Sequence, residues 1–175
     1  MFKELNILKL FFEEPRREFN VREIARILKI SPATASKELK ELVEKNILSY
    51  KKERIYHLYQ ANFNSEEYKD IKIYYNIRKL KISNLINEIN KFYLHPTIIL
   101  FGSCSKGEDI ETSDIDLVII SEKTKEFPKL KEFEKILNKE LQIFNIRKIS
   151  EIPNKHLINN ILNGINIQGG INGFN

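Results

Sequence analysis

The chain has 175 residues, 42% of them hydrophobic, which is enough for one ordinary domain or two small ones with real cores. Its formal net charge of +5 is uneven: residues 1–62 carry 13 Lys/Arg against 9 Asp/Glu (+4) and residues 63–175 carry 16 against 15 (+1), so the N-terminal third suits a polyanionic partner. A single cysteine excludes an internal disulfide and fits a reducing cytoplasm, while the lack of an apolar run near ~20 residues, and of a signal pattern at Met1-Phe2-Lys3-Glu4, argues against a membrane.

Phe2 to Glu13 is expected as a first helix, with Leu5, Leu8 and Phe12 at i, i+3 and i+7 and Pro15 beyond its end. Asn20 followed by Glu23 predicts a capped start for a second helix, Val21 to Ile30, burying Val21, Ile24, Ala25 and Leu28. Ser31-Pro32 is an N-cap serine followed by proline at the first helical position. The third helix then runs to about Lys45, burying Ala35, Leu39, Leu42 and Val43, with Asn46 to close it. Ile47 to Tyr50 and Ile55 to Gln60 read as strands on either side of Lys51-Lys52-Glu53-Arg54.

Phe63-Asn64-Ser65 marks a boundary, and the acids after Ser65 start a helix. No Gly or Pro interrupts the stretch to about Phe92, roughly 40 Å of helix at 1.5 Å per residue, which reads as a connector and a candidate dimer surface. His95-Pro96 ends it, and Thr97 to Phe101 reads as a buried strand. Gly102-Ser103 then breaks the run in a way that suits a phosphate, because glycine lets the backbone approach and a helix start attracts an anion. Asp114-Ile115-Asp116 leads into a second apolar run, Leu117 to Ile120. Carboxylates at i and i+2 on a strand share a face while Ile115 and Leu117 turn to the core, and such paired hard oxygens suit Mg²⁺ held jointly with phosphates.

Cys104 reads as a small packing residue, and His57, His95 and His156 are too scattered for a metal set. Pro128 to Leu141 is expected as a helix, Gln142 to Ile149 as a third strand, and Ser150 to Asn163 as a closing helix that Gly164 terminates. The tail from Ile165 to Asn175 is expected to hold a short edge strand and then fray.

Three helices with a tight turn before the third, a basic-tipped hairpin, and the residues Val21 to Arg26 and Ser31 to Leu39 resemble winged helix-turn-helix regulators of bacteria and archaea. The resemblance implies double-stranded DNA as a partner. Thr34, Ser36, Lys37 and Lys40 of the third helix would enter the major groove, and Lys51, Lys52 and Arg54 of the wing would meet phosphates or the minor groove. A homodimer would match paired half-sites.

The stretch Phe101 to Ile120, FGSCSKGEDIETSDIDLVII, resembles the signature of the DNA polymerase beta-like nucleotidyltransferase superfamily, in particular its minimal members. That likeness implies Mg²⁺ or Mn²⁺ at Asp114 and Asp116, which would also be catalytic. It implies ATP or another nucleoside triphosphate at Gly102 and Ser103, with Lys106 or Lys123 offsetting charge. The superfamily usually has a third carboxylate on the strand after the intervening helix; here Gln142 aligns with it, or Glu140 if the strand starts earlier. Members with similar motifs act as antitoxins beside helical HEPN proteins, which implies a HEPN-like partner and a protein acceptor.

The fold class is therefore α/β (α+β). Residues 1–62 form a winged helix, 63–95 a connecting helix, and 96–175 a transferase domain with a mixed sheet and helices. Two functions stay open. One is a DNA-tethered, Mg²⁺-dependent transferase moving a nucleoside monophosphate to a protein or small-molecule acceptor, antitoxin-like. The other is a transcription regulator whose degenerate transferase domain only binds a nucleotide or a partner.

Overall fold

The computed structural model describes residues 3–170, with side chains from Ile7 onward, so the side chain of Leu5 and the tail 171–175 lie outside the described residues. Two compact units emerge, Met1–Lys72 and Ile73–Asn175.

In the first unit, α1 (Lys3–Glu13), α2 (Val21–Leu28) and α3 (Pro32–Glu44) are joined by β1 (Phe19–Asn20), β2 (Leu48–Glu53) and β3 (Tyr56–Ala61) in a sheet of order β1-β3-β2. The caps are chemical. Asn20 Oδ1 accepts from the Glu23 N–H at 3.0 Å, and Ser31 Oγ accepts from the Thr34 N–H at 3.0 Å. Lys29 in the left-handed region ends α2 earlier than Ile30, and Asn46, also left-handed, follows α3. Phe11, Phe19, Ile24, Ala35 and Leu39 are fully buried and form the centre.

The hairpin differs from its sequence reading. β2 continues to Glu53, and only Arg54-Ile55 makes the turn, with Arg54 at φ +54°. A two-residue hairpin demands positive φ at its first central residue, and Arg54 adopts it. Lys51 and Lys52 therefore stand on the strand, not in the loop.

The expected long helix is also broken. α4 (Glu66–Ile82) ends where Ser83 Oγ donates to the Leu80 carbonyl at 2.8 Å, Asn84 adopts φ +69°, and α5 (Leu85–Tyr93) begins afresh. A serine that bonds back to the helix, followed by a left-handed asparagine, breaks a helix without Gly or Pro. The two units divide within α4, past Phe63-Asn64-Ser65. The first turns of α4 belong to the first unit because the Tyr68 hydroxyl donates to the Phe11 carbonyl and Lys72 Nζ to the Phe12 carbonyl, both at 3.0 Å.

In the second unit, β4 (Thr97–Phe101), α6 (Gly102–Lys106), β5 (Ile115–Ile120), α7 (Leu130–Leu137), β6 (Leu141–Ile146), α8 (Lys155–Leu162) and β7 (Ile165–Gln168) build a sheet of order β6-β5-β4-β7. β5 and β6 are parallel while β4 is antiparallel to both β5 and β7, so the sheet is mixed. Its strands alternate. Ile98, Leu100, Ile115, Leu117 and Ile119 pack with α5 and α7 residues on one face. Ile99, Phe101 and Val118 pack with Ile152 and Ile161 on the other. The closing helix is shorter than expected. A 3₁₀ turn, Ile149–Glu151, precedes Pro153, and Asn154 Oδ1 then caps α8 by accepting from the His156 and Leu157 N–H groups at 2.9 and 3.2 Å. β6 starts at Leu141 and ends at Ile146, and α7 is confined to Leu130–Leu137. Among the described residues, no helix is long and apolar enough to cross a membrane.

Leu117, wholly buried at the centre of the mixed sheet, sets a test of this core. Leu117→Ala is expected to lower stability by about 2–5 kcal/mol in a denaturant titration.

Candidate functional site

The strand-turn-helix at the end of β4 brings the second unit's polar residues together. Phe101 pairs with Asp116 across β4 and β5, and Asp116 pairs with Gln142 across β5 and β6. Gly102 follows Phe101 at φ +71°, where an added Cβ would overlap Asp116 Oδ2. Only glycine combines that backbone conformation with so close a carboxylate. Ser103 is half-buried in the first turn of α6, and the Ser105 hydroxyl donates to the Gly102 carbonyl at 2.8 Å. Cys104 packs inward and its thiol donates to the Asp114 carbonyl at 3.3 Å.

Asp114 lies just before β5 and not on it, yet its side chain reaches the same cluster. Gln142 Nε2 donates to Asp114 Oδ2 at 2.6 Å. The residue opposite Asp116 on β6, where the sequence reading expects a third acid, is thus an amide engaged with the Asp114 carboxylate. Glu140 is not a substitute. It precedes β6, is exposed, and its charge acts on Lys131, raising the affinity of that lysine for its proton after the nearer Glu134. Burial, and then the neighbouring charge of Asp114, push the Asp116 carboxyl above its ordinary value of 3.8. Among the described residues, no cluster of three or more His, Cys, Asp and Glu side chains could hold a metal.

A buried polar knot holds the loop between α6 and β5. Asp109, 1% exposed, meets Lys139 Nζ at 3.2 Å and accepts from Asn76 Nδ2 at 2.7 Å. Asn76 also donates to the Cys104 carbonyl at 3.0 Å, and Lys139 to the carbonyls of Ile110 and Ser113 at 2.7 and 3.1 Å. The knot ties the residue before Asp114 to α4 and to the segment entering β6. Lys106 is exposed in the last turn of α6. Lys123 is elsewhere: beyond the far end of β5, it donates to the Phe92 carbonyl at 2.8 Å and lies 3.3 Å from the centre of that ring.

In the first unit, Thr34, Lys37 and Lys40 are exposed on α3, with Ser36 half-buried. At 3.6 residues per turn Thr34 and Ser36 fall on opposite flanks, so they do not share one outward face. Thr34 Oγ1 is also 2.8 Å from Ser31 Oγ, within the cap. Lys37 approaches Glu41 at 4.0 Å and Lys51 approaches Glu53 at 3.8 Å, both on open surface where such pairs contribute little. Lys51, Lys52 and Arg54 are all exposed. Ile55 and Tyr56 at the hairpin tip, 81% and 57% exposed, were not singled out from the sequence. An apolar residue inside a basic turn was the available signal.

Residues 82–165 match the family described as nucleotidyltransferase domain, and residues 3–50 match the bacterial regulatory protein, arsR family. The chain joins a helix-turn-helix domain to a nucleotidyltransferase domain. No curated protein matches the chain. The match to the nucleotidyltransferase domain spans both the Gly102-Ser103 turn and the Asp114/Asp116/Gln142 cluster, and the match to the arsR family spans α1 to α3 and the start of β2.

The raised proton affinity of Asp116 in this domain has a signed consequence. The folded state holds that proton more tightly than the unfolded chain, so stability rises as pH falls through the raised pKa and levels off below 3.8. Asp116→Asn removes both the buried charge and the repulsion from Asp114. Without metal, the variant is expected to unfold at higher denaturant at pH 7 than the parent, with the difference shrinking toward pH 3.8.

Proposed function

We propose that the chain is a DNA-binding regulator whose nucleotidyltransferase domain takes up a nucleoside triphosphate together with Mg²⁺ or Mn²⁺. The observation that carries this reading is the bond of 2.6 Å from Gln142 Nε2 to Asp114 Oδ2: Asp114 and Asp116 offer two carboxylates, while the third polar group of the cluster is an amide that cannot accept a proton. The donor set fits a hard divalent cation, because Asp114 and Asp116 offer carboxylate oxygens beside a turn whose glycine leaves no side chain in the way. Asp114 and Asp116 would hold the ion jointly with phosphate oxygens. The backbone after Gly102 and the Ser103 hydroxyl would meet the β- and γ-phosphates, and Lys106 would add positive charge at the rim. When bound, the cation offsets the charge of the triphosphate.

A second reading, transfer of a nucleoside monophosphate from ATP or another triphosphate, is favoured by the retained Gly102-Ser103 turn and Asp114/Asp116 pair. The proton of an attacking hydroxyl would then have to pass to Asp114 or Asp116, since Gln142 cannot take it. The acceptor would be a small molecule or a protein, and an antitoxin-like role beside a HEPN-like partner belongs to this reading.

On the DNA side, Lys37 and Lys40 of α3 would approach the major groove while Lys51, Lys52 and Arg54 meet phosphates. A homodimer, with α4 contributing exposed Tyr74 and Ile82, would suit a two-fold operator. The buried Cys104 thiol fits a reducing cytoplasm.

Calorimetry with ATP and Mg²⁺ tests the nucleotide reading. The double change Asp114→Asn and Asp116→Asn is expected to abolish metal-dependent nucleotide binding while circular dichroism shows the fold intact; unchanged affinity would remove the reading. For DNA, Lys51→Glu with Lys52→Glu is expected to weaken binding across sequences and to reduce the slope of log affinity against log salt by about 1 per lysine. Intact low-salt binding by that variant would mean the wing does not contact DNA.

A further inference from the structure

We propose that Gln142 confines the site to a single divalent cation. The inference rests on the nucleotide-and-metal reading above, and it concerns how many ions that site accepts.

Gln142 is the register partner of Asp116 on parallel strands, so the two side chains leave the sheet on one face. From there Gln142 reaches back toward the start of β5 and donates Nε2–H to Asp114 Oδ2 at 2.6 Å. The acceptor is a carboxylate, so the bond is charge-assisted and stronger than one between neutral groups. Its hydrogen takes up a lone pair of the oxygen that faces Gln142, the direction in which a second cation would need that oxygen. Turning the amide over would offer Oε1 instead. That exchange gives up the charge-assisted bond and places two oxygens against each other, for one neutral ligand in return. Asp116 is not free to compensate, because its carboxylate is seated against Gly102, where an added Cβ would overlap Oδ2. Glu140 precedes β6 and is exposed.

The two positions of a two-metal site differ in what they ask of the protein. Ions about 4 Å apart serve the leaving and the attacking oxygens. A cation on the triphosphate side draws several of its octahedral ligands from phosphates and needs only one or two carboxylates. A cation on the attacking side has fewer phosphate oxygens and depends on the protein. Two carboxylates, one of them engaged by an amide, meet the first demand and not the second. Gln142 thereby separates holding the nucleotide from turning it over, which suits a domain that reports a nucleotide to a DNA-binding unit on the same chain.

The experiment uses Mn²⁺ as the probe with a non-cleavable α,β-methylene ATP and the full chain. Equilibrium dialysis counts bound Mn²⁺ per bound nucleotide, and electron paramagnetic resonance reports whether two Mn²⁺ ions are close enough to couple. The parent protein is expected to hold one Mn²⁺ per nucleotide with an uncoupled spectrum. Gln142 is exposed, so substitution there leaves the core untouched; Gln142→Asp and Gln142→Glu are each expected to hold two Mn²⁺ with a coupled spectrum. Two coupled ions in the parent, or a single ion in both acid variants, would overturn the inference while leaving the nucleotide reading intact. Failure of the parent and both variants to retain any nucleotide with Mn²⁺ would overturn the nucleotide reading and the inference together.

Discussion

The buried ion pair between Asp109 and Lys139 is the constraint on which the second unit's polar end depends. Both side chains are withdrawn from water, at 1% and 11% exposure, and that desolvation is tolerable only with excellent geometry. Asn76 and the carbonyls of Ile110 and Ser113 help supply it by hydrogen bonding to the two charged groups. A loop that would otherwise be a flexible link between α6 and β5 is thereby fixed at its middle. Asp114, the first acid of the pair, is delivered by that loop and not by the strand. The position of the Asp114 carboxylate is thus set by a buried ion pair outside the acidic cluster itself.

Much of this was legible in the sequence, for identifiable reasons. Caps at Asn20 and Ser31 are local chemistry, and the structure uses both as expected. The alternation around Asp116 reports a strand, and Ile115 and Leu117 are indeed buried; but Asp114 lies just before β5, and Asp116 shares its face with buried Val118, so that face is polar only at its start. The strand-helix-strand spacing places Gln142 on the strand after the intervening helix, and parallel register brings it opposite Asp116. What could not be read were events without a local signature. The break at Ser83-Asn84 involves neither glycine nor proline, and side-chain back-bonding of a serine competes with the helix only in context. The tight turn at Arg54-Ile55 lacks the Asn-Gly pair that announces such hairpins. Asp109, Asn76 and Lys139 are far apart in sequence, and no spacing rule joins them.

The two units stand differently toward their proposed ligands. In the transferase domain a few groups converge closely, and exchanging one atom type at Gln142 alters the chemistry. In the helix-turn-helix domain the relevant residues are spread over exposed surface, with Glu41 and Glu53 interspersed among the lysines. Such a mixed surface binds a phosphate backbone through many weak contacts, so affinity is distributed and strongly dependent on ionic strength. A single change there shifts binding by degrees, whereas a single change in the acidic cluster changes its kind.

The position of β2 at the rim of its sheet carries one more consequence. Its outer backbone groups face no neighbouring strand of the three-stranded order β1-β3-β2, and an open edge invites addition of a strand from another molecule. Lys51 and Lys52 sit on that rim, and charge at an edge discourages such pairing by making the approach of a second edge repulsive. The same two ammonium groups therefore guard colloidal stability whether or not nucleic acid is present. Replacing them with Val or Ile would do more than remove positive charge: it would turn the rim into an adhesive β-forming segment and favour insoluble assemblies.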